Sequence, residues 1–432
     1  MEVFKIKGKN ILNGTIRIPG AKNSVVALIP ASLLGEQPLI IDDTPDIEDV
    51  KVISNLIEEL GAKVILNQEG EIHKVNIDPS KVENRELLKG NVEKMRASYY
   101  LMGALLGRFN YAKLGIPGGC FLGPRPIDLH LKGFEALGAK ITDHGTHVEL
   151  DARENGLVGT QIYLDFPSVG ATINIMLAAT KAKGKTTIEN AAREPEIIDV
   201  AILLNNMGAN IKGVGTEVIT IEGVDYLGGC YHQIIPDRIQ AGTYAIMGAL
   251  SGDKVIIDNI IPEHMDALVS KLHDIGVDIE MTDEQLIISG LKNELPNDKL
   301  KPVRLTTGIY PGFPTDIQQP FSVLMTQTKG ESHLRDTIYP ARSKSYLELN
   351  KMGANIEVLD DEDGGAIFNG GTKLHGATVS SPDLRGGVSL VIAGLIAEGE
   401  TTIDEIYHIE RGYENIVEKL QGLGANIVKE EI

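Results

Sequence analysis

The residues best suited to chemistry lie in one loop of the 432-residue chain, Pro117-Gly118-Gly119-Cys120-Phe121-Leu122-Gly123-Pro124-Arg125-Pro126. Glycines let a backbone bend at little steric cost, whereas prolines limit the conformations it adopts. This composition is typical of a mobile lid that brings a thiol to one position when it closes. A thiol near cations can act as an acid or a nucleophile, and the alternative for Cys120 is a small residue packed in a turn.

Polar side chains also recur where helices are predicted to begin. Free N–H groups at a helix start favour anions, and the arginine fork binds phosphate or carboxylate with two hydrogen bonds. Because arginine at a helix start opposes the helix dipole, we expect these ends to line a cleft for anions; a solvated surface charge is the alternative for any single arginine. The predicted first-helix starts carry Lys22-Asn23, Arg96, Ser168, Asp237-Arg238, Thr315-Asp316 and Asp383 with Arg385, and the second-helix starts carry Arg125, Arg193, Arg342 and Arg411.

The elements that position these residues form an internal repeat. A helix, a Gly-Ala-like turn and a strand recur six times, with turn glycines Gly61, Gly138, Gly208, Gly276, Gly353 and Gly424. A period of about 70 residues is long enough for a βαβαββ unit. The turn glycines match helix C-caps, and the first helix of each unit is apolar nearly all round, which predicts burial within a ring of sheets. The chain length favours two domains of three units each, with a crossover near Ile234-Ile235-Pro236.

Composition excludes several classes of partner. With 60 acidic and 41 basic residues the net charge is −19, which argues against nucleic acid or an anionic membrane surface as the main partner. No apolar stretch is long enough to span a bilayer, the N-terminus lacks a secretion signal, and the two cysteines offer no disulfide framework, so we expect a cytoplasmic protein. The sequence contains no zinc-ligand spacing, P-loop or dinucleotide fingerprint, so no metal or cofactor is predicted, and no obligate protein partner is evident.

Several motifs resemble, in collinear order along the whole chain, those of the UDP-N-acetylglucosamine 1-carboxyvinyltransferases, a family of enolpyruvyl transferases. They are Pro19-Gly20-Ala21-Lys22-Asn23, Met95-Arg96-Ala97-Ser98, the Cys120 loop through His130, Phe313-Pro314-Thr315-Asp316, Asp383-Leu384-Arg385 and His408-Ile409-Glu410-Arg411-Gly412-Tyr413-Glu414. The resemblance implies an α/β fold, an inside-out α/β barrel of two similar domains with three βαβαββ repeats each. The implied domains are residues 22–235, with the Cys120 lid, and residues 1–21 plus 236–432.

The resemblance also implies a reaction. The enolpyruvyl group of phosphoenolpyruvate would pass to the 3-hydroxyl of UDP-N-acetylglucosamine by addition and elimination, releasing phosphate, in the first committed step of peptidoglycan synthesis. Such an enzyme serves cell wall biogenesis, cell shape and cell division. Cys120 would donate the proton and form a covalent pyruvate adduct, and Asp316 would act as the base.

Substrate-binding residues follow from the same resemblance. Lys22, Arg125 and Arg411 would hold the phosphate, and Arg385 with Arg411 the carboxylate, so that the implied catalytic set is Cys120, Asp316, Lys22 and Arg411. Asn23 would touch both substrates, and Arg342 would lie in the cleft. The nucleotide-sugar contacts would be Arg96, Arg125, Pro126, Ile127, Asp128, Leu129, Ser168, Val169, Gly170, Asp316 and Ile338. Phe166 stands where many relatives carry a lysine near the diphosphate, so a cationic contact to the nucleotide is missing.

Two other functions remain open from the sequence. One is the sister enolpyruvyl transferase that acts on shikimate 3-phosphate, although that enzyme lacks the Gly-Gly-Cys lid. The other is a non-catalytic relative that binds the UDP-sugar to sense precursor supply. Phe166 favours the second, whereas the intact set of Cys120, Asp316, Lys22 and Arg411 argues against it.

Overall fold

The computed structural model describes residues 2–70, 72–116, 127–339, 342–359 and 365–432. Backbone contacts divide them into two compact units. The first unit comprises the described residues of 19–235, and the second unit comprises residues 2–18 with the described residues of 236–432. The contacts therefore divide the chain between residues 18 and 19, whereas the predicted boundary lies between residues 21 and 22.

The strands are mostly short and alternate between buried and exposed residues. Their bounds are β1 Glu2–Lys7, β2 Leu12–Arg17, β3 Leu39–Asp42, β4 Lys63–Glu69, β5 Ile72–Asp78, β6 Tyr111–Gly115, β7 Lys140–Asp143, β8 His147–Asp151, β9 Gln161–Tyr163, β10 Lys185–Glu189, β11 Asn210–Lys212, β12 Val218–Glu222, β13 Tyr231–Gln233, β14 Gly252–Asp258, β15 Asp278–Met281, β16 Gln285–Ser289, β17 Arg304–Thr306, β18 Glu331–Arg335, β19 Ile356–Val358, β20 Gly365–Asn369, β21 Thr378–Ser380, β22 Glu400–Asp404 and β23 Ile427–Glu431.

The helices lie between groups of these strands along the chain. Their bounds are α1 Lys22–Ala31, α2 Glu48–Glu59, α3 Asn91–Lys94, α4 Tyr100–Phe109, α5 Asp128–Ala136, α6 Val169–Ala179, α7 Pro195–Asn206, α8 Arg238–Ser251, α9 Asp266–Ile275, α10 Thr315–Gln327, α11 Lys344–Lys351, α12 Leu384–Ile396, α13 Tyr407–Glu410 and α14 Ile416–Gly422. Short 3₁₀ turns cover Ser32–Leu34, Arg96–Tyr99 and Pro262–His264. None of the described helices is both long and apolar enough to cross a membrane.

One sheet topology recurs through the described residues. In the sheet β11-β12-β10-β9, the strand β9 is parallel to β10, and β12 is antiparallel to both β10 and β11. The same strand-pairing pattern recurs in β15-β16-β14-β2, β19-β20-β18-β17, β4-β5-β3-β13 and β23-β1-β22-β21. The sheet β6-β8-β7 has three strands, and a parallel bridge from Leu87 to Leu114 takes the place of its first strand. The predicted repeat is confirmed.

The first helix of each repeat forms the core of its unit. In α6 every residue from Gly170 to Ala179 is buried, and in α12 every residue from Arg385 to Ile396 is buried. α1 and α4 in the first unit, and α8 and α10 in the second, are buried to a similar degree. A helix that is apolar on all sides gains most when other elements cover it completely, so the sheets cover these helices and face solvent on their other side.

The turn glycines of the repeat all adopt the left-handed conformation. Their φ angles are 102°, 100°, 109°, 98°, 93° and 97° for Gly61, Gly138, Gly208, Gly276, Gly353 and Gly424. A Cβ atom is costly in this region, so glycine ends the second helix and turns the chain into the next strand. Gly276 is the C-cap of α9, and each of the other five glycines directly follows the C-cap residue, so the predicted glycine-terminated helices are confirmed.

Some sheets are completed by strands that lie far away in the sequence. β2 precedes α1 in the chain but pairs in parallel with β14, whereas β13 precedes α8 but pairs in parallel with β3. β1 lies between β22 and β23 and is antiparallel to both. Residues 2–17 thereby supply two strands to the second unit, and β13 supplies the first strand of the first repeat.

One predicted helix position was wrong. Arg411 does not begin a helix but follows the one-turn helix α13, and α14 begins only at Ile416. Asn415 has a left-handed backbone, with φ of 46° and ψ of 39°, which interrupts the helix that the sequence pattern predicts to be continuous. Arg411 is consequently the C-cap residue of α13.

Candidate active site

Asp316 is held between two arginines in the second unit. It lies in the first turn of α10; Arg342 Nη1 is 2.8 Å from its Oδ1 and Arg385 Nη2 is 3.3 Å from its Oδ2. The arginine side chains are 4% and 5% exposed, whereas the Asp316 side chain is 23% exposed. Two nearly buried cations thus fix a carboxylate that solvent still reaches.

Arg385 owes its position to the start of α12. The side chain of Asp383 caps this helix by accepting hydrogen bonds from the N–H groups of Arg385 and Gly386 at 2.9 and 3.0 Å. Arg385 Nη1 donates to the Tyr413 hydroxyl at 3.2 Å. Burial by itself would lower the Arg385 pKa, but Tyr413, Asp316 and Asp237 raise it overall, so the guanidinium keeps its charge.

Arg342 precedes α11 and reaches back to the start of α10. Its Nη1 donates to the carbonyl oxygen of Thr315 at 2.8 Å and to the Thr315 hydroxyl at 3.2 Å. Its guanidinium carbon lies 5.0 Å from the centre of the Tyr339 ring. Ile338, the predicted sugar contact, lies in the turn after β18, where its N–H donates to Asp336 at 2.9 Å.

Arg411 lies on a segment tied to α8 and α12. Gln240 in α8 donates to the carbonyl oxygen of Gly412 at 3.2 Å, and the hydroxyls of Thr243 and Tyr413 are 2.8 Å apart. Burial, followed by the positive charge of Arg411, lowers the pKa of His408. The segment carrying Arg411 is therefore anchored by buried contacts on both sides.

In the first unit, Lys22 begins α1 and is paired with Asp49. Its Nζ lies 2.6 Å from Asp49 Oδ2, and the two side chains are 13% and 4% exposed. Asp49 belongs to the first turn of α2, where an acidic side chain also suits the helix dipole. Asn23, in the first turn of α1, is partly buried.

A second group of first-unit residues surrounds the start of α6. The Arg96 guanidinium lies 5.5 Å from the Tyr99 ring centre, and Tyr99 packs edge-on against His130 at 4.8 Å. Burial, followed by the Arg96 charge, lowers the pKa of His130 to about 3, so its imidazole is neutral and Nδ1 accepts from Asn174 Nδ2 at 2.9 Å. A Cβ on Gly170 would come within 2.8 Å of the Tyr99 hydroxyl, so the absence of a side chain lets α6 approach this group.

Ser168 caps α6 next to this group. Its hydroxyl accepts from the N–H of Ala171 at 3.3 Å, and its own N–H donates to the Phe166 carbonyl oxygen at 2.7 Å. Val169 is partly buried, no acidic residue occupies the first turn, and the Phe166 side chain is 45% exposed. The helix start therefore presents N–H groups of the kind that bind phosphate oxygens.

The remaining predicted contacts lie at or before the start of α5. Ile127 is the N-cap residue, Asp128 is exposed and Leu129 is partly buried. Cys120, Arg125 and Pro126 lie outside the described residues. Among the residues that the structure describes, no group of three or more His, Cys, Asp or Glu is arranged to hold a metal ion.

The structure thus groups the predicted residues within each unit. In the second unit it joins Asp316, Arg342 and Arg385 directly. In the first unit it places Arg96 and Gly170 next to the same aromatic pair, Tyr99 and His130. Sequence reasoning missed Asp49 and Asp336, because an acid in a first helical turn and an acid after a strand are both common and carry no distinguishing motif.

Comparison with known proteins places the chain in a family. The family model described as EPSP synthase (3-phosphoshikimate 1-carboxyvinyltransferase) matches residues 6–420. The chain belongs to the enolpyruvyl transferase family. Among its enolpyruvyl transferase relatives, UDP-N-acetylglucosamine 1-carboxyvinyltransferase 2 of Bacillus cereus is 55% identical over 432 residues, covering all of this chain and 97% of the relative. The protein of the same description from Listeria monocytogenes is 52% identical over 424 residues, covering 98% of this chain and 97% of the relative.

Solved structures agree with this family at the level of the fold. The enolpyruvyl transferase NikO from Streptomyces tendae superimposes with a TM-score of 0.88 at 25% identity, covering 99% of this chain and 98% of that one. An EPSP synthase from Acinetobacter baumannii gives a TM-score of 0.73 at 18% identity, with complete coverage of both chains. The predicted inside-out arrangement of α/β repeats is therefore the fold of this enolpyruvyl transferase.

Proposed function

We propose that this protein transfers the enolpyruvyl group of phosphoenolpyruvate to the 3-hydroxyl of UDP-N-acetylglucosamine and releases phosphate. The choice of UDP-N-acetylglucosamine as the acceptor rests on one observation: the chain is 55% identical, over its whole length, to a protein described as UDP-N-acetylglucosamine 1-carboxyvinyltransferase 2. The reaction would supply peptidoglycan precursors in the cytoplasm, where its multiply charged substrates are retained because a bilayer excludes them.

The chemistry is an addition followed by an elimination. The sugar oxygen attacks C2 of phosphoenolpyruvate while C3 gains a proton, which gives a tetrahedral ketal that still carries the phosphate. Loss of the phosphate and of one proton from C3 restores the double bond. The addition requires an acid for C3 and a base near the hydroxyl.

Asp316 is the proposed base in this scheme. Arg342 fixes one oxygen, Oδ1, and so orients the carboxylate, while Oδ2 contacts Arg385. We propose that Arg385, with Arg411, also binds the substrate carboxylate. A guanidinium shared in this way would turn toward the incoming carboxylate and leave Oδ2 of Asp316 available to accept the sugar hydroxyl.

The anionic groups of the substrates are assigned to the helix starts. Lys22 and Arg411, together with Arg125, would hold the phosphate, and Asn23 would contact both substrates. The uncapped N–H groups at the start of α6, with Ser168, are proposed to bind the diphosphate, near Arg96 and the run Ile127 to Leu129. Cys120 would deliver the proton to C3.

Phosphate release tests the proposal directly. With phosphoenolpyruvate present, we expect release that depends on UDP-N-acetylglucosamine and none that depends on shikimate 3-phosphate. The reverse preference would assign the sister reaction, and binding of the UDP-sugar without turnover would indicate a sensor. An epoxide phosphonate that mimics phosphoenolpyruvate should add its mass to Cys120, and modification of the partly buried Cys230 instead would contradict the role of Cys120.

A further inference from the structure

Asp336 is a buried carboxylate that lies beside the candidate site without belonging to the predicted set. It is 0% exposed and directly follows β18. β18 is parallel to β17, and Thr307, the residue after β17, is its neighbour. The two residues therefore lie side by side at the carboxyl ends of adjacent parallel strands, from which α10 and α11 follow.

Both oxygens of Asp336 are occupied by neutral donors. Oδ1 accepts from the Thr307 hydroxyl at 2.6 Å and from the N–H groups of Ile338 and Tyr339 at 2.9 and 3.0 Å. Oδ2 accepts from the Thr315 hydroxyl at 3.1 Å. Burying a carboxylate is costly unless its oxygens are satisfied in this way, so the four donors and the acid depend on one another.

These contacts connect two predicted parts of the sugar site. The bonds to Ile338 and Tyr339 fix the turn that carries Ile338. The bond to Thr315 fixes the residue before Asp316, and the same Thr315 hydroxyl accepts from Arg342, which also holds Asp316. One carboxylate thus determines how the Ile338 turn and the Asp316 carboxylate are placed relative to each other.

We propose that Asp336 is a positioning residue for the sugar substrate, acting through Thr315 on Asp316 and through its own turn on Ile338. This inference rests on the proposed function. The groups assigned to phosphoenolpyruvate lie on other elements, namely α1, α12 and the segment after α13. Loss of Asp336 therefore disturbs the acceptor side of the reaction selectively.

Steady-state kinetics of Asp336→Asn and Asp336→Ala test the proposal. Asparagine keeps one oxygen for the Ile338 and Tyr339 N–H groups, whereas alanine removes every contact. We expect kcat/KM for UDP-N-acetylglucosamine to fall about tenfold or more in Asp336→Ala and less in Asp336→Asn, with KM for phosphoenolpyruvate within about twofold of wild type, because misplacement of a reacting group by 1 Å can cost about a hundredfold. Equal changes in the two KM values, or a kcat/KM for UDP-N-acetylglucosamine within about twofold of wild type in Asp336→Ala, would overturn the proposal.

A double-mutant cycle separates positioning from general stability. In an Asp316→Asn background the group that Asp336 positions is already lost, so adding Asp336→Ala should lower kcat by less than about threefold, since residues acting through one another are not additive. Full additivity would mean that Asp336 does not act through Asp316.

If Asp336→Ala does not fold, Thr315→Val tests the same link. Thr315→Ser, which keeps the hydroxyl, is its control. Wild-type turnover of the UDP-sugar is measured first, because its absence would refute the proposed function rather than the role of Asp336.

Discussion

Asp316 shows how much of this site is decided by individual side chains. Its two oxygens contact two different arginines, one anchored at the start of α12 and one before α11. A carboxylate whose two oxygens contact two buried guanidinium groups keeps one orientation, as the proposed base that must meet a single hydroxyl requires.

The Asp316→Asn substitution should therefore impair catalysis strongly. Asparagine keeps the size of the side chain but removes the basic oxygen, and general-base catalysis typically contributes about 10²- to 10⁴-fold, so we expect kcat to fall within that range. Phosphate release under saturating substrates measures the effect. Asp266→Asn serves as the matched control, because Asp266 is an exposed acid at the start of α9. Activity of Asp316→Asn within about twofold of wild type would exclude Asp316 as the base.

A second prediction at the residue scale concerns Phe166. Its side chain is exposed beside the start of α6. We expect Phe166→Lys to lower KM for the UDP-sugar by up to about fivefold, because an exposed ion pair contributes about 0.2–1 kcal/mol, and we expect the gain to shrink with added salt. Tyr226→Lys introduces the same charge at another exposed aromatic residue and should leave KM unchanged. Equal effects of the two variants would show that overall charge, rather than position, is responsible.

At the scale of the element, the starts of the buried first helices carry residues that we propose to bind the substrates. α6 begins with a serine cap and a glycine, and Gly170 lets the helix approach Tyr99 and His130 closely. The neutral imidazole of His130, in α5, accepts a hydrogen bond from Asn174 of α6, so the Tyr99–His130 pair and α6 stabilise each other's position. The position of the N–H groups that we propose to bind the diphosphate thus depends on Gly170.

Gly170→Ala should disturb this helix start. The added methyl would lie 2.8 Å from the Tyr99 hydroxyl and 3.0 Å from His130 Cε1, so we expect a loss of about 1–3 kcal/mol in unfolding free energy and a higher KM for the UDP-sugar. Urea unfolding and steady-state kinetics measure the two effects. Gly422→Ala is the control: Gly422 ends α14 with open space around it, so its substitution should be neutral or slightly stabilising. If Gly170→Ala changes neither the unfolding free energy nor KM, α6 and Tyr99 shift apart without cost.

At the scale of the whole molecule, the second unit is completed by strands from the start of the chain. β1 and β2 belong to sheets of the second unit, and Glu2 is paired with Glu431 across the β1–β23 ladder. Without residues 2–17, the strands β14, β22 and β23 would each lose a partner and leave unsatisfied backbone groups. The second unit is therefore discontinuous in sequence although it is compact in space.

A permuted fragment tests this organisation. Joining residue 432 to residue 2 through a short glycine-serine linker gives the order 236–432 and then 2–18, which preserves every strand pairing of the second unit. We expect this fragment to unfold cooperatively, because directly opposed residues of an antiparallel pair lie about 4.5–5.5 Å apart and a short connection suffices. The fragment 236–432 alone should remain largely unfolded. Circular dichroism during thermal unfolding distinguishes the two, and equal cooperativity would show that β1 and β2 are dispensable.

The sequence by itself determined the repeated unit, the burial of the first helices and the six glycine turns. These features are local: a run of apolar residues on every face of a helix, or a glycine where the backbone must turn left-handed, acts within a few residues of itself. Only the tertiary structure decided that β2 pairs with β14 and that β13 pairs with β3. It also showed that the left-handed backbone of Asn415 interrupts the helix predicted to begin at Arg411. Finally, it brought Lys22 to Asp49, and Asp336 to Thr307 and Thr315. Such pairings join residues distant in sequence, and they depend on how helices and sheets pack rather than on any pattern that one segment carries.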